Sequence, residues 1–141
     1  MIEKILVPLD GSSEAEGVLP WVRLIASRTG SEVLLLTSVQ QIAVWDPALA
    51  ITVMDREEGL ALEYLKRVAG ELSSSGLKVQ SIVTRGPAAE RILDLAEREG
   101  ASLIAITTHG RSGISRWFLG SVAVLALTML GTNIALVSAL R

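Results

Sequence analysis

The sequence predicts an open α/β fold, a doubly wound five-stranded parallel sheet with helices on both faces, in a single domain over residues 1–141. Three observations carry this. Short runs rich in Val, Ile and Leu alternate with segments of helical spacing, in the order β-α-β-α-β-α-β-α-β. The strand-like runs are apolar almost throughout, as expected of strands covered on both faces. The length of 141 residues suits one domain with a substantial core. Crossovers between parallel strands are right-handed, which leaves few topologies. Ligands in such sheets bind beyond the carboxyl ends of the strands, where strand order reverses.

The first strand is KILVPL (4–9), and Asp10-Gly11-Ser12 follows it as a turn and helix start. In 13–29, Ala15, Val18, Leu19, Val22, Ile25 and Ala26 make one apolar stripe, stopped by Gly30. EVLLLTSV (32–39) is the second strand. Residues 40–54, holding Trp45 and Pro47, read as an irregular connection, either a lid over the strand ends or an apolar flap, with the flap favoured. A helix over 55–72 buries Leu60, Leu62, Leu65, Val68, Ala69 and Leu72. LKVQSIVT (77–84) follows as a strand. Pro87 opens a helix to Glu99 that turns Ile92, Leu93, Leu95 and Ala96 inward and stops at Gly100. SLIAIT (102–107) and NIALVSAL (133–140) complete the sheet.

From Trp117 to Leu140 no side chain is charged. A membrane span needs roughly twenty consecutive residues in one helix. Gly120-Ser121 is a helix start and Gly131-Thr132-Asn133 a stop and turn, so the run splits into a short helix and a strand. We therefore expect no membrane span. In that helix the spacing puts Val122, Ala126 and Leu130 toward the sheet and Val124, Leu125 and Thr128 on another face. That face either is covered by neighbouring loops such as the Trp45 segment or, the reading favoured here, serves oligomer or partner contact.

Composition narrows the chemistry. Half the residues are apolar, mean hydropathy is +0.47 and net charge is −2. No basic stripe exists for nucleic acid. Without cysteine there is no disulfide or thiolate chemistry, and the single His109 rules out a histidine-rich metal site. The N-terminus lacks a signal-peptide pattern, so a cytoplasmic location is expected.

After the fourth strand comes ITTHGRSGISRWFLGSVA. It matches neither GxxxxGK[ST] nor GxGxxG. It is a glycine-rich loop running into a helix N-terminus, able to offer several backbone N–H groups to an anion, with the Ser121 hydroxyl and the cations Arg111 and Arg116 nearby. The alternative is that Ser121 caps its helix and the glycines only make turns. Asp10 can orient a nucleotide or help hold a metal on its phosphates, and Asp-Gly-Ser is also a good turn and helix start; the double role is favoured over capping alone.

ILVPLDGSSEAE, RGPAAERILDLAEREGASLIAI and THGRSGISRWFLGSV together resemble the universal stress protein (UspA-like) family over essentially the whole chain. The resemblance implies strand order 3-2-1-4-5, a homodimer formed through the last strand (133–139), and ATP bound by a G-x2-G-x9-G-[ST] loop. Here that spacing is kept as Thr107-x2-Gly110-x9-Gly120-Ser121, with Thr107 in place of the first glycine. A β-branched residue narrows the space that glycine leaves beside the ribose, while its hydroxyl can donate a hydrogen bond there instead. Carried over position by position, Pro8, Leu9 and Asp10 line the ribose and adenine side, with Ser38 beside the base and Ile106 beneath it. Thr107, Gly110, Arg111, Gly120, Ser121 and Val122 cradle the rest of the nucleotide.

Three functions follow. The first is a nucleotide (ATP or ADP) binding stress or signalling protein, using Mg or Mn on the phosphates, with little or no turnover. The second is a dimeric interaction protein with a decayed nucleotide site. The third, a slow ATP hydrolase, ranks lowest, because phosphoryl transfer needs charge-stabilising groups and a positioned base beyond those visible here.

Overall fold

The computed structural model describes residues 2–41, 45–107 and 133–137. The elements run β1 (Lys4–Pro8), a 3₁₀ turn (Ala15–Val18), α1 (Leu19–Thr29), β2 (Glu32–Val39), α2 (Pro47–Ser73), β3 (Val79–Arg85), α3 (Ala88–Glu99), β4 (Leu103–Thr107) and β5 (Asn133–Val137). The expected α/β architecture with a parallel sheet is present. β2 lies between β3 and β1, and β4 flanks β1 on the other side, giving the order 3-2-1-4. β5 runs parallel to β4 on its outer side, paired from Leu103–Asn133 to Thr107–Val137. The helix expected over 121–130 and the strand residues 138–140 lie outside the described residues.

The two-residue period of the strands divides the core between the faces. Ile5, Val7, Val33, Leu35, Leu103 and Ala105 join Val22 and Ala26 of α1 and Leu65, Val68 and Leu72 of α2. Leu6, Leu34, Leu36, Ile104 and Ile106 join Ile92, Leu95 and Ala96 of α3 on the opposite face. Continuous apolar runs were therefore the right signal. Gly30 and Gly100 cap α1 and α3 in the left-handed conformation, as the sequence predicted.

Two expectations are corrected. The stretch 40–54 is not an irregular connection, because α2 starts at Pro47, with the Asp46 carboxylate accepting the Ala48 N–H at 2.9 Å. An N-cap Asp followed by Pro at the first helical position fixes that start. Trp45 stands fully exposed rather than packed down as a flap. The predicted helix over 13–29 is also divided, its first part being the 3₁₀ turn.

The early start has a spatial consequence. At 27 residues α2 is about 40 Å long, whereas even the 8-residue β2 spans only about 26 Å. The short turn between Ser73 and Val79 ties the C-terminus of α2 to the start of β3, whose Val79 pairs with Val33 at the start of β2. The excess length therefore projects past the carboxyl ends of the strands. Leu49 and Ile51 are exposed there because no sheet lies beneath them.

Candidate functional site

The ladder between β1 and β4 comprises Ile5–Leu103 and Leu6–Ile104, whereas β1 stays paired with β2 as far as Pro8–Leu36. Pro8 has no N–H to offer β4. The carboxyl ends of β1 and β4 are thus free to diverge where strand order reverses, the place at which doubly wound sheets accept ligands.

Gly11, at φ 86°, takes a left-handed conformation that turns the chain sharply after Asp10. The Asp10 carboxylate accepts the Ser12 backbone N–H at 2.9 Å and the Ser12 hydroxyl proton at 2.5 Å. Ser12 Oγ in turn accepts the Ala15 N–H at 3.1 Å, starting the 3₁₀ turn. Asp10 therefore does shape the turn. It also borders a cleft of about 700 Å³ between the ends of β1 and β2 and the side of α2. The two roles weighed for it from sequence are geometrically compatible.

The end of β2 supplies Thr37, Ser38, Val39 and Gln40 to the same cleft, followed by Gln41. Thr37 Oγ1 donates to the Leu9 carbonyl at 2.9 Å, and Ser38 Oγ donates to the Gly86 carbonyl at 2.7 Å. These hydroxyls tie β2 to the ends of β1 and β3. Ser38 and Asp10 are thus brought to one cavity. Leu9 and Ile106 are buried in the two halves of the core, and Pro8 is buried at the end of β1. Thr107 closes β4 opposite Val137. His109, Gly110, Arg111, Gly120, Ser121 and Val122, like Val124 and Leu125, lie outside the described residues. Among the described residues no cluster of three or more His, Cys, Asp or Glu is placed to hold a metal by itself.

The far wall of the cleft was not anticipated. It is formed by Glu57, Leu60, Ala61 and Tyr64 of α2, and Leu60, expected in the core, is 50% exposed because it borders this space. The readable signal was the Asp46-Pro47 helix start, which carries α2 past the sheet edge.

Two sets of polar contacts hold the wall. The Tyr64 hydroxyl donates to Glu16 Oε2 at 2.9 Å, and the Arg67 guanidinium sits 5.3 Å from the Tyr64 ring centroid and 3.7 Å from the same carboxylate oxygen. On the other flank Arg85, at the end of β3, pairs with Asp55 at 3.0 Å and with Glu58. The Arg85 hydrogen bond holds the Glu58 carboxyl below its usual range and raises Arg85 in turn. Both partners are solvated, so this clamp positions α2 more than it stabilises the fold.

Burial, reinforced by the hydrogen bond to the Glu16 carboxylate, pushes the Tyr64 phenol well above its ordinary value near 10.0. A raised phenol pKa favours the protonated form in the fold. Its contribution to stability is complete below the ordinary value and is lost as pH climbs through the folded one. Tyr64 is the only tyrosine, so the phenolate absorbance band reports it alone. In an alkaline titration the band should appear later in native protein than in urea. Coincident curves would contradict the Tyr64–Glu16 contact.

A parallel α/β sheet with a cleft beyond its carboxyl edge defines the class, a doubly wound α/β fold. Residues 1–125 match the model of the universal stress protein family, and the chain belongs to that family. Universal stress protein MJ0577 of Methanocaldococcus jannaschii is 29% identical over 139 residues, covering 86% of each chain. Universal stress protein YxiE of Bacillus subtilis is 32% identical over 136 residues, covering 87% of this chain and 90% of its own. The solved structure of MJ0577 superimposes with a TM-score of 0.83 at 26% identity, over 100% of this chain and 99% of that one. Two more distant structures share the fold and carry nucleotides. One is a universal stress protein in complex with cAMP, with TM-score 0.69 and 18% identity over 96% of this chain and 97% of that one. The other is At3g01520 of Arabidopsis thaliana with AMP bound, with TM-score 0.63 and 12% identity over 99% of this chain and 93% of that one. Among the described residues no helix is long and apolar enough to cross a membrane.

Proposed function

We propose that this chain is a cytoplasmic, stress-related nucleotide-binding protein that takes ATP or ADP in the cleft beside Asp10, with little or no turnover. The observation that carries the reading is the cleft itself. Its volume of about 700 Å³ lies within the roughly 300–1,000 Å³ usual for small-ligand sites. It opens at the strand ends where such sheets bind ligands, and structural relatives hold AMP and cAMP.

The described residues suit the base and ribose end of a nucleotide. Asp10 and Ser38 line the cleft there together, and the Asp10 carboxylate also offers a hard oxygen of the kind that Mg²⁺ or Mn²⁺ on the phosphates prefers. The phosphates fall to the glycine-rich loop, with Thr107 at its first position, Gly110, Arg111 and the Gly120-Ser121-Val122 helix start. In the homodimer we place the contact at 133–139. β5 lies outermost beside β4, and pairing with a second copy would satisfy its open hydrogen-bonding edge. The Val124 and Leu125 face is assigned to further apolar contact.

Isothermal titration with ATP, with and without Mg²⁺, tests the reading. Saturable binding of about one nucleotide per chain is expected, stronger with the metal. A folded protein that takes up no heat at millimolar ATP would leave the second reading, an interaction protein with a decayed site.

A further inference from the structure

We propose that Glu57 of α2, which lines the cleft together with Gln40 and Gln41, selects the base by accepting a hydrogen bond from the exocyclic amino group of a 6-aminopurine. The inference rests on the nucleotide reading above and adds the residue that discriminates.

Most polar groups around the cleft already have their partners. The Thr37, Ser38 and Tyr64 hydroxyls donate to Leu9, Gly86 and Glu16, and the Asp10 carboxylate accepts from Ser12. Among the described lining residues, Glu57, Gln40 and Gln41 alone have polar side chains with no hydrogen bond or ion pair within the chain. An ionised carboxylate only accepts, whereas a carboxamide both donates and accepts. Together they complement a ring edge that presents an amino group beside a ring nitrogen. A keto oxygen at the same place would set its lone pairs against the carboxylate. Leu60 and Ala61, next to Glu57 on this wall, offer the apolar surface on which a purine can lie.

Charge gives the same orientation. The carboxylate of Glu57 repels phosphate, so a nucleotide places its base toward α2 and its phosphates away from it. The wall is also anchored on both sides of Glu57. Arg85 holds Asp55 and Glu58 on one flank of Glu57, and the Tyr64–Glu16 hydrogen bond holds the other. A reading group works only when its support fixes it.

The test compares ATP with purine riboside 5′-triphosphate, which lacks the amino group, on the wild-type chain and on Glu57→Ala. Glu57 is exposed on a helix, and alanine is a strong helix former, so the variant folds. Wild-type protein should prefer ATP by about tenfold, the scale of a charge-assisted hydrogen bond lost with the analogue. In Glu57→Ala the preference should vanish, through weaker ATP binding and without weaker analogue binding. Equal wild-type affinities for the two ligands would overturn the assignment and leave the nucleotide reading standing, as would a preference that survives in Glu57→Ala. Failure of the wild-type chain to bind either ligand would overturn both.

Discussion

Leu35→Ala lowers the free energy of unfolding by about 3 kcal/mol, measured by urea denaturation with an unchanged slope. Leu35 is fully buried at the centre of β2, paired with Val7 on one side and Ser81 on the other, and it packs among the side chains of the α1 and α2 face. Truncating a leucine in such a place removes transfer free energy and leaves a cavity, about 2–5 kcal/mol together. Folded domains commonly hold only about 5–15 kcal/mol in total, so the variant sits close to its unfolding threshold. Leu60→Ala is the internal control. The same chemical change on α2, at a residue that is 50% exposed, should cost less than about 1 kcal/mol. Similar losses at the two sites would mean that α2 packs differently along the cleft.

Asp10→Ala and Asp10→Asn separate the two duties of that carboxylate. Alanine removes the acceptor for both the N–H and the hydroxyl of Ser12, so the turn after β1 should lose about 1–2 kcal/mol. Nucleotide affinity should fall with it. Asparagine keeps an acceptor oxygen in the same place but carries no charge. Its thermal stability should therefore stay near wild type, while the Mg²⁺-dependent part of ATP affinity falls by about tenfold. If Asp10→Asn binds Mg²⁺ and ATP as wild type does, the carboxylate serves the turn alone, and the metal belongs to other residues.

Much of the fold was legible because strand and helix periods are local properties. The apolar runs at 4–9, 32–39 and 102–107 located β1, β2 and β4 to within a residue or so, and glycine stops marked the ends of α1 and α3. Their lack of polar alternation correctly implied cover on both faces, which the two cores supply. The candidate site was legible only in part. Asp10 and Ser38 were singled out from the sequence, and the structure brings them to one cleft. Its α2 wall was missed, since Leu60 and Tyr64 fit a helical stripe equally well whether they meet a core or a cavity.

The sequence by itself determined the alternation of strands and helices, the capping glycines and the membership of the universal stress protein family. Each of these depends on residue type and short-range spacing. Tertiary structure decided which face of α2 meets the sheet and which meets the cleft. That distinction depends on the length of α2 relative to the strands and on two long-range anchors, Tyr64 to Glu16 and Arg85 to Asp55 and Glu58. Contacts that join residues tens of positions apart leave no periodic trace in the chain, and only the packed molecule brings Glu57 to the same cleft as Gln40 and Gln41.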